Sequence, residues 1–209
     1  MAEQVAAITA GAAASYLLGV GLGVAPPLIG EDNLRDFSRQ KWGKHARKVL
    51  DELDANWSYM LLKPKGSNRN FVSAQPEETR VKFVSYVSPF ERKMRGVAKF
   101  GLCTERHRGC ICGGAVAAAA DQILGMYAIS MMFFPVVTAN LDVKFLESIP
   151  LGSELGFVCK MEEGSDSIKK LIVTLRFYSL NPDDQKKDLV VVTGIFVNSI
   201  LPNFIKSML

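Results

Sequence analysis

The chain has 209 residues, 48% of them hydrophobic and 22% charged, enough to build one core with an N-terminal extension. A net charge of +4 is compatible with attraction of an anionic ligand, but it lacks the concentrated basic face that nucleic-acid binding requires. The four cysteines (Cys103, Cys110, Cys112, Cys159) form no CxxC pair, and His45 and His107 are the only histidines. That composition argues against a structural zinc site or a disulfide framework, and for a reducing intracellular compartment.

Residues 1–30 form an apolar N-terminal segment, and no charge occurs from Gln4 to Gly30. The run is long enough to span a bilayer, and Gly11, Ser15, Gly19 and Gly23 recur every fourth residue, as in closely packed membrane helices. If it spans, Arg35, Arg39, Lys41, Lys44, Arg47 and Lys48 would hold the following chain on the cytoplasmic or matrix side. The alternative is an Ala/Gly-rich targeting or disordered leader. It lacks the positive start of a secretory signal and the Arg-rich amphipathicity of a mitochondrial presequence.

Residues 31–78 read as an amphipathic helix and a linker. Trp42, Ala46, Val49, Leu50, Leu53, Trp57, Met60 and Leu61 recur at helical spacing, and Lys63–Glu78 carries the Pro, Gly, Ser and Asn of a loop. Residues 79–209 then change period. Two strands are expected at Val81–Val87 and Met94–Cys103, followed by a helix at Gly113–Met132. Four more strands follow at Val136–Leu146, Ser153–Met161, Ile168–Tyr178 and Leu189–Val197. In the first of these four, Val137, Ala139, Leu141, Val143 and Phe145 alternate with Thr138, Asn140, Asp142 and Lys144, which places the two sets on opposite faces. One helix among runs of strands predicts an α+β fold, an antiparallel sheet wrapped around that helix.

The helix Gly113–Met132 is apolar almost all round, so burial on most faces is expected and Asp121 is out of place. Either Asp121 and Gln122 mark a narrow wet stripe, or Asp121 lines a site. The Gly113-Gly114 pair favours a site. Two glycines at a helix start allow close approach, and the free N–H groups there suit an oxyanion or a polarised carbonyl. Asp121 lies eight residues further on, roughly 12 Å along the axis. One carbonyl meets both features only if a second subunit supplies one of them.

The run Cys110-Ile111-Cys112-Gly113-Gly114-Ala115-Val116, then Asp121, then Val137-Thr138-Ala139-Asn140-Leu141, resembles the hotdog-fold acyl-CoA thioesterases, of the 4-hydroxybenzoyl-CoA thioesterase and PaaI-like type. The likeness is nearest to the branch acting on fatty acyl-CoA. It implies hydrolysis of fatty acyl-CoA to fatty acid and CoA, without metal or organic cofactor, by a homodimer or a dimer of dimers. It also implies that Gly113 and Gly114 hold the thioester carbonyl through backbone N–H groups. Asp121 of the partner subunit then acts as general base or nucleophile, and Thr138 positions the water or the carboxylate. Cys112 replaces the family's His before the glycines, and the basic residue and proline that usually follow the next strand are absent. Phosphate contacts are therefore expected from Lys144, Arg106 or Arg108, with Cys112 and Asn140 beside the substrate.

Three other readings have features to recommend them. Cys112 at a helix N-terminus, with His107 near in sequence, could form an acyl-enzyme. The His-to-Cys change fits a non-catalytic acyl-CoA-binding protein or scaffold that kept the fold. A dehydratase or hydratase on this fold would need a catalytic His on the helix, where none stands.

Overall fold

A computed structural model describes residues 42–54, 58–60, 81–88, 90–107, 109–132, 135–162, 165, 170–181 and 187–198. The apolar run Gln4–Gly30, the loop Lys63–Glu78 and Arg108 lie outside the described residues. In chain order the elements are α1 (Lys44–Asp54), β1 (Ser58–Met60), β2 (Val81–Ser88) and β3 (Lys93–Phe100). A 3₁₀ turn (Leu102–Thr104) leads to β4 (Glu105–His107), β5 (Cys110–Ile111) and α2 (Gly113–Met132), and β6 (Val136–Phe145), β7 (Glu154–Met161), β8 (Lys170–Ser179) and β9 (Asp188–Asn198) complete the order. Seven strands form one sheet in the order β1-β2-β3-β7-β8-β9-β6, and every pair in it is antiparallel.

The expected α+β layout is present, with α2 as the long central helix. Alternate residues of β7, β8 and β9 turn inward (Leu155, Phe157, Cys159; Leu171, Val173, Leu175, Phe177; Val190, Val192), and all are buried. They meet Val116, Ala119, Ala120, Ile123, Leu124, Tyr127 and Ala128 of α2. The alanines bring the helix axis close to the sheet. By length and mean hydropathy α2 could cross a membrane, but it is the core helix that this sheet covers.

The amphipathic helix is shorter than its periodicity suggests. α1 ends at Asp54, and Ser58–Met60 form a strand on β2, with Tyr59 opposite Tyr86. Ser and Tyr are weak helix formers, and pairing along β2 satisfies backbone groups that one more helical turn would leave in water. α1 lies on the outer face of the sheet. Ala46, Leu50 and Leu53, with Trp42, cover Val84, Tyr86 and Val97, so β2 and β3 are buried on both sides.

Glu154 anchors the start of α1. Its carboxylate accepts the Gly43 N–H at 2.9 and 3.0 Å and pairs with Lys99 at 3.1 Å, with its side chain 15% exposed. Charge-assisted bonds at this depth outweigh surface ion pairs. Glu154→Gln is expected to lower stability by about 1–2 kcal/mol, read from the midpoint of urea unfolding.

β3 is also shorter than expected. It stops at Phe100, and the chain turns at Leu102–Thr104, where Thr104 donates through both N–H (3.1 Å) and Oγ1 (2.7 Å) to the Gly101 carbonyl. The small β4–β5 hairpin that follows was not legible as a pattern, because two- and three-residue strands carry no periodicity.

Candidate active site

The hairpin β4–β5 delivers the chain to the first turn of α2, and two further segments fix it there. The Cys112 N–H donates to the Thr104 carbonyl at 2.7 Å, the Ile111 N–H to the Ile149 carbonyl at 2.9 Å, and the Leu151 N–H to the Gly109 carbonyl at 2.6 Å. The residue preceding α2 is Cys112, and its thiol acts as the helix cap. Backbone N–H groups of Gly114 and then Ala115 hold that thiol below its ordinary pKa, and the nearby Arg106 guanidinium adds to the effect. The thiol thus stands beside one of the two expected carbonyl donors, the Gly114 N–H. The Gly113 N–H has no hydrogen-bond partner among the described residues.

This capping has a consequence for reactivity. The Cys112 thiol is half-buried and held below its ordinary pKa, whereas Cys159 is fully buried and its thiol is pushed well above the ordinary range. Iodoacetamide should therefore alkylate Cys112 with a rate that rises at lower pH than for a free cysteine. Cys159 should stay unmodified until the protein unfolds, which peptide mass spectrometry would read.

Beside the first turn, the Phe145 ring lies against Gly113. A Cβ on Gly113 would stand 3.1 Å from the ring's Cζ, so the close approach depends on glycine. A groove of about 460 Å³ opens here, lined by Arg106, Cys110, Ile111, Gly113, Val116 and the segment 145–149.

Further along α2 the helix is less enclosed than its composition suggests. Gly114 is exposed, and Ala117, Ala118, Asp121, Gln122, Gly125 and Ile129 are only partly buried. Asp121 is on this flank. Its Oδ1 accepts a hydrogen bond from Thr138 Oγ1 at 2.8 Å. Its neighbour Gln122 has a shielded Oε1 with no partner among the described residues.

The contact with Thr138 exists because β6 does not alternate evenly. The register on β9 slips between Thr138 (opposite Phe196) and Asn140 (opposite Ile195), so Ala139 is an extra, bulged residue. The expectation that Thr138 lies on the face opposite Leu141 and Val143 is corrected by this slip. Val136, Leu141 and Val143 pack on the core, Phe145 meets Gly113, and the bulge brings Thr138 onto that same helix-facing side.

The other expected substrate contacts scatter. Arg106 lines the groove near Cys112. Asn140 is exposed on β6. Lys144 stands on the face away from α2, 70% exposed and 3.8 Å from Asp142, so it does not join the groove. Glu147, just after β6, is paired with Lys187. The alternation of β6 places Phe145 in the strand's apolar set, and nothing in its spacing indicates the contact with Gly113.

The model of the thioesterase superfamily matches residues 109–171, from the turn before α2 into β8. No curated protein sequence matches the chain. Among solved structures, the E. coli PaaI protein from the phenylacetic acid degradation operon is similar with a TM-score of 0.47 and 12% identity, over 56% of this chain and 78% of that one. The smu.793 protein from Streptococcus mutans UA159, bound to acetyl CoA, gives 0.48 and 21% over 56% and 87%. A hypothetical thioesterase protein with coenzyme A from Streptococcus pneumoniae TIGR4 gives 0.48 and 14% over 56% and 89%. The chain is a hotdog-fold protein, an antiparallel sheet around one central helix, and its segment 109–171 matches the thioesterase superfamily.

Proposed function

We propose that the chain hydrolyses fatty acyl-CoA thioesters to the free acid and CoA, with Asp121 as general base on water. The observation that carries this reading is the Asp121–Thr138 hydrogen bond at 2.8 Å, inside the segment that matches the thioesterase superfamily. A carboxylate with one oxygen held by a hydroxyl keeps its second oxygen to take a proton from water. The hydroxide equivalent adds to the thioester carbonyl, and the C–S bond breaks as the tetrahedral intermediate collapses. The leaving sulfur takes up the proton that Asp121 removed from water, which frees CoA and restores the carboxylate. The residues invoked need no metal or organic cofactor. The carbonyl oxygen is received at the N-terminus of α2, by the N–H groups of Gly113 and Gly114.

The two parts stand eight residues apart on one helix, roughly 12 Å, so they act on one carbonyl only when two subunits meet. β6 suits that meeting. It is a ten-residue edge strand with β9 as its one neighbour, and Val137 on it is half exposed. A homodimer, or a dimer of dimers, is therefore part of the mechanism, and light scattering on the purified protein would count its subunits.

The lowered pKa of Cys112 favours a second reading, an acyl-cysteine intermediate. It is the weaker one, because the thiol stands beside the same helix-start N–H groups that the carbonyl needs, and attack and carbonyl binding would compete for them. A non-catalytic acyl-CoA-binding protein is separated from both by one comparison. Wild type and Asp121→Ala are given a long-chain acyl-CoA and free thiol is followed colorimetrically. Release by wild type well above the variant supports the hydrolase. Equal release refutes it, and an acyl adduct on Cys112 by mass spectrometry would promote the second reading.

A further inference from the structure

The ring of Phe145 has no counterpart in the chemistry above, yet it is the side chain that a Cβ on Gly113 would meet first. We propose that Phe145 determines acyl-group specificity: its ring is the wall against which the carbons next to the thioester carbonyl lie, and the groove beyond it is the acyl subsite. This deepens the hydrolase reading and rests on it.

Three observations point to this assignment. Phe145 is 51% exposed and Leu146 55% in the single subunit, an apolar pair at the end of β6 beside the helix start. The groove they share also carries Ile111, Val116 and Ile149, and its volume of about 460 Å³ is within the range of small-molecule sites. The groove's charge also decides which end of the thioester enters it. Arg106 is the one cation lining it among the described residues, and Glu147, bonded to Lys187, brings a carboxylate to the same wall. With Glu147 neutralised by Lys187, the lining sets a single guanidinium against the several negative charges of the diphosphate and phosphate of CoA, too few to hold them. It does suit a hydrocarbon chain.

The ring's position gives the selectivity its direction. Its Cζ stands 3.1 Å from a Cβ position on Gly113, so a second substituent on the α-carbon of the acyl group would be forced into it, whereas an unbranched chain passes along its face. A clash of one methyl group is worth roughly 10–200-fold in discrimination.

The test pairs butyryl-CoA with its α-branched isomer isobutyryl-CoA, in wild type, Phe145→Leu and Phe145→Ala. Hydrolysis is measured beside calorimetric binding of the matching non-hydrolysable S-(2-oxoalkyl)-CoA thioethers. Phe145→Ala is expected to raise the branched-to-straight ratio of kcat/KM at least tenfold and to move the ratio of Kd values the same way, with Phe145→Leu intermediate. An unchanged ratio with hydrolysis intact overturns the assignment. If wild type hydrolyses neither thioester nor a long-chain acyl-CoA but binds both thioethers, the hydrolase reading falls and the Kd ratio alone decides the role of Phe145. Failure of wild type to bind either thioether overturns both. Thermal unfolding of each variant checks the fold, and Phe145→Leu carries the comparison if Phe145→Ala does not fold.

Discussion

Asp121→Asn is expected to lower kcat for acyl-CoA hydrolysis by about 10²–10⁴-fold, the usual share of a general base, while KM changes little. Asparagine keeps the size of the side chain and an oxygen that can still accept from Thr138 Oγ1, now at 2.8 Å from Asp121 Oδ1. What it loses is the second carboxylate oxygen as a proton acceptor, so a defect in turnover without a defect in binding isolates that function. Among the described residues no cation pairs with Asp121, so removing its charge strands no partner and the fold should be unaffected. Thr138→Ala should cost less, roughly 10–100-fold, because it frees the carboxylate to rotate without removing it, and Thr138→Ser should restore most of the loss. Steady-state kinetics on the three variants separates the roles. Wild-type turnover in Asp121→Asn would remove Asp121 from the mechanism.

The difference between what could be read along the chain and what could not follows from the distances involved. The strands β7, β8 and β9 and the helix α2 were legible because each repeats a burial pattern over eight or more residues, at period 2 or as an unbroken apolar run. Asp121 was legible as an exception inside such a run. The bulge at Ala139 was not, because the strand reads as clean alternation and only pairing with β9 shows where the register slips. Resemblance therefore points to Thr138, but plain alternation puts it on the wrong face of the strand. The cap made by Cys112 is a relation between one side chain and the two N–H groups next to it, which spacing does not report. Phe145 and Gly113 are thirty-two positions apart, and their contact exists only in three dimensions. The early end of α1 has the same origin: the open edge of β2, not the local sequence, makes Ser58–Met60 a strand.

Gly96→Ala is expected to lower stability by about 3 kcal/mol, a large share of what a domain this size holds in reserve. Gly96 is in the middle of β3, opposite Ser85 on one side and Phe157 on the other. A Cβ there would stand 2.0 Å from the Val84 carbonyl oxygen and 2.6 Å from the Phe157 ring. Neither neighbour can yield cheaply. Val84 is main chain in the paired strand and lies under α1, and Phe157 is fully buried, edge-on to Phe177 at 6.2 Å. Urea unfolding of the variant should show a lower midpoint at similar slope. Gly114→Ala makes the control. Its Cβ would meet only Cys112 Sγ at 3.7 Å, an ordinary contact, and stability should stay within about 0.5 kcal/mol of wild type. Adding Phe157→Leu to Gly96→Ala separates the two clashes. The smaller side chain removes the ring from the added methyl but leaves the carbonyl in place, so the double variant should recover part of the loss and not all of it. Full recovery would mean that the backbone of β2 can move aside, and that the sheet is softer there than its burial on both faces implies.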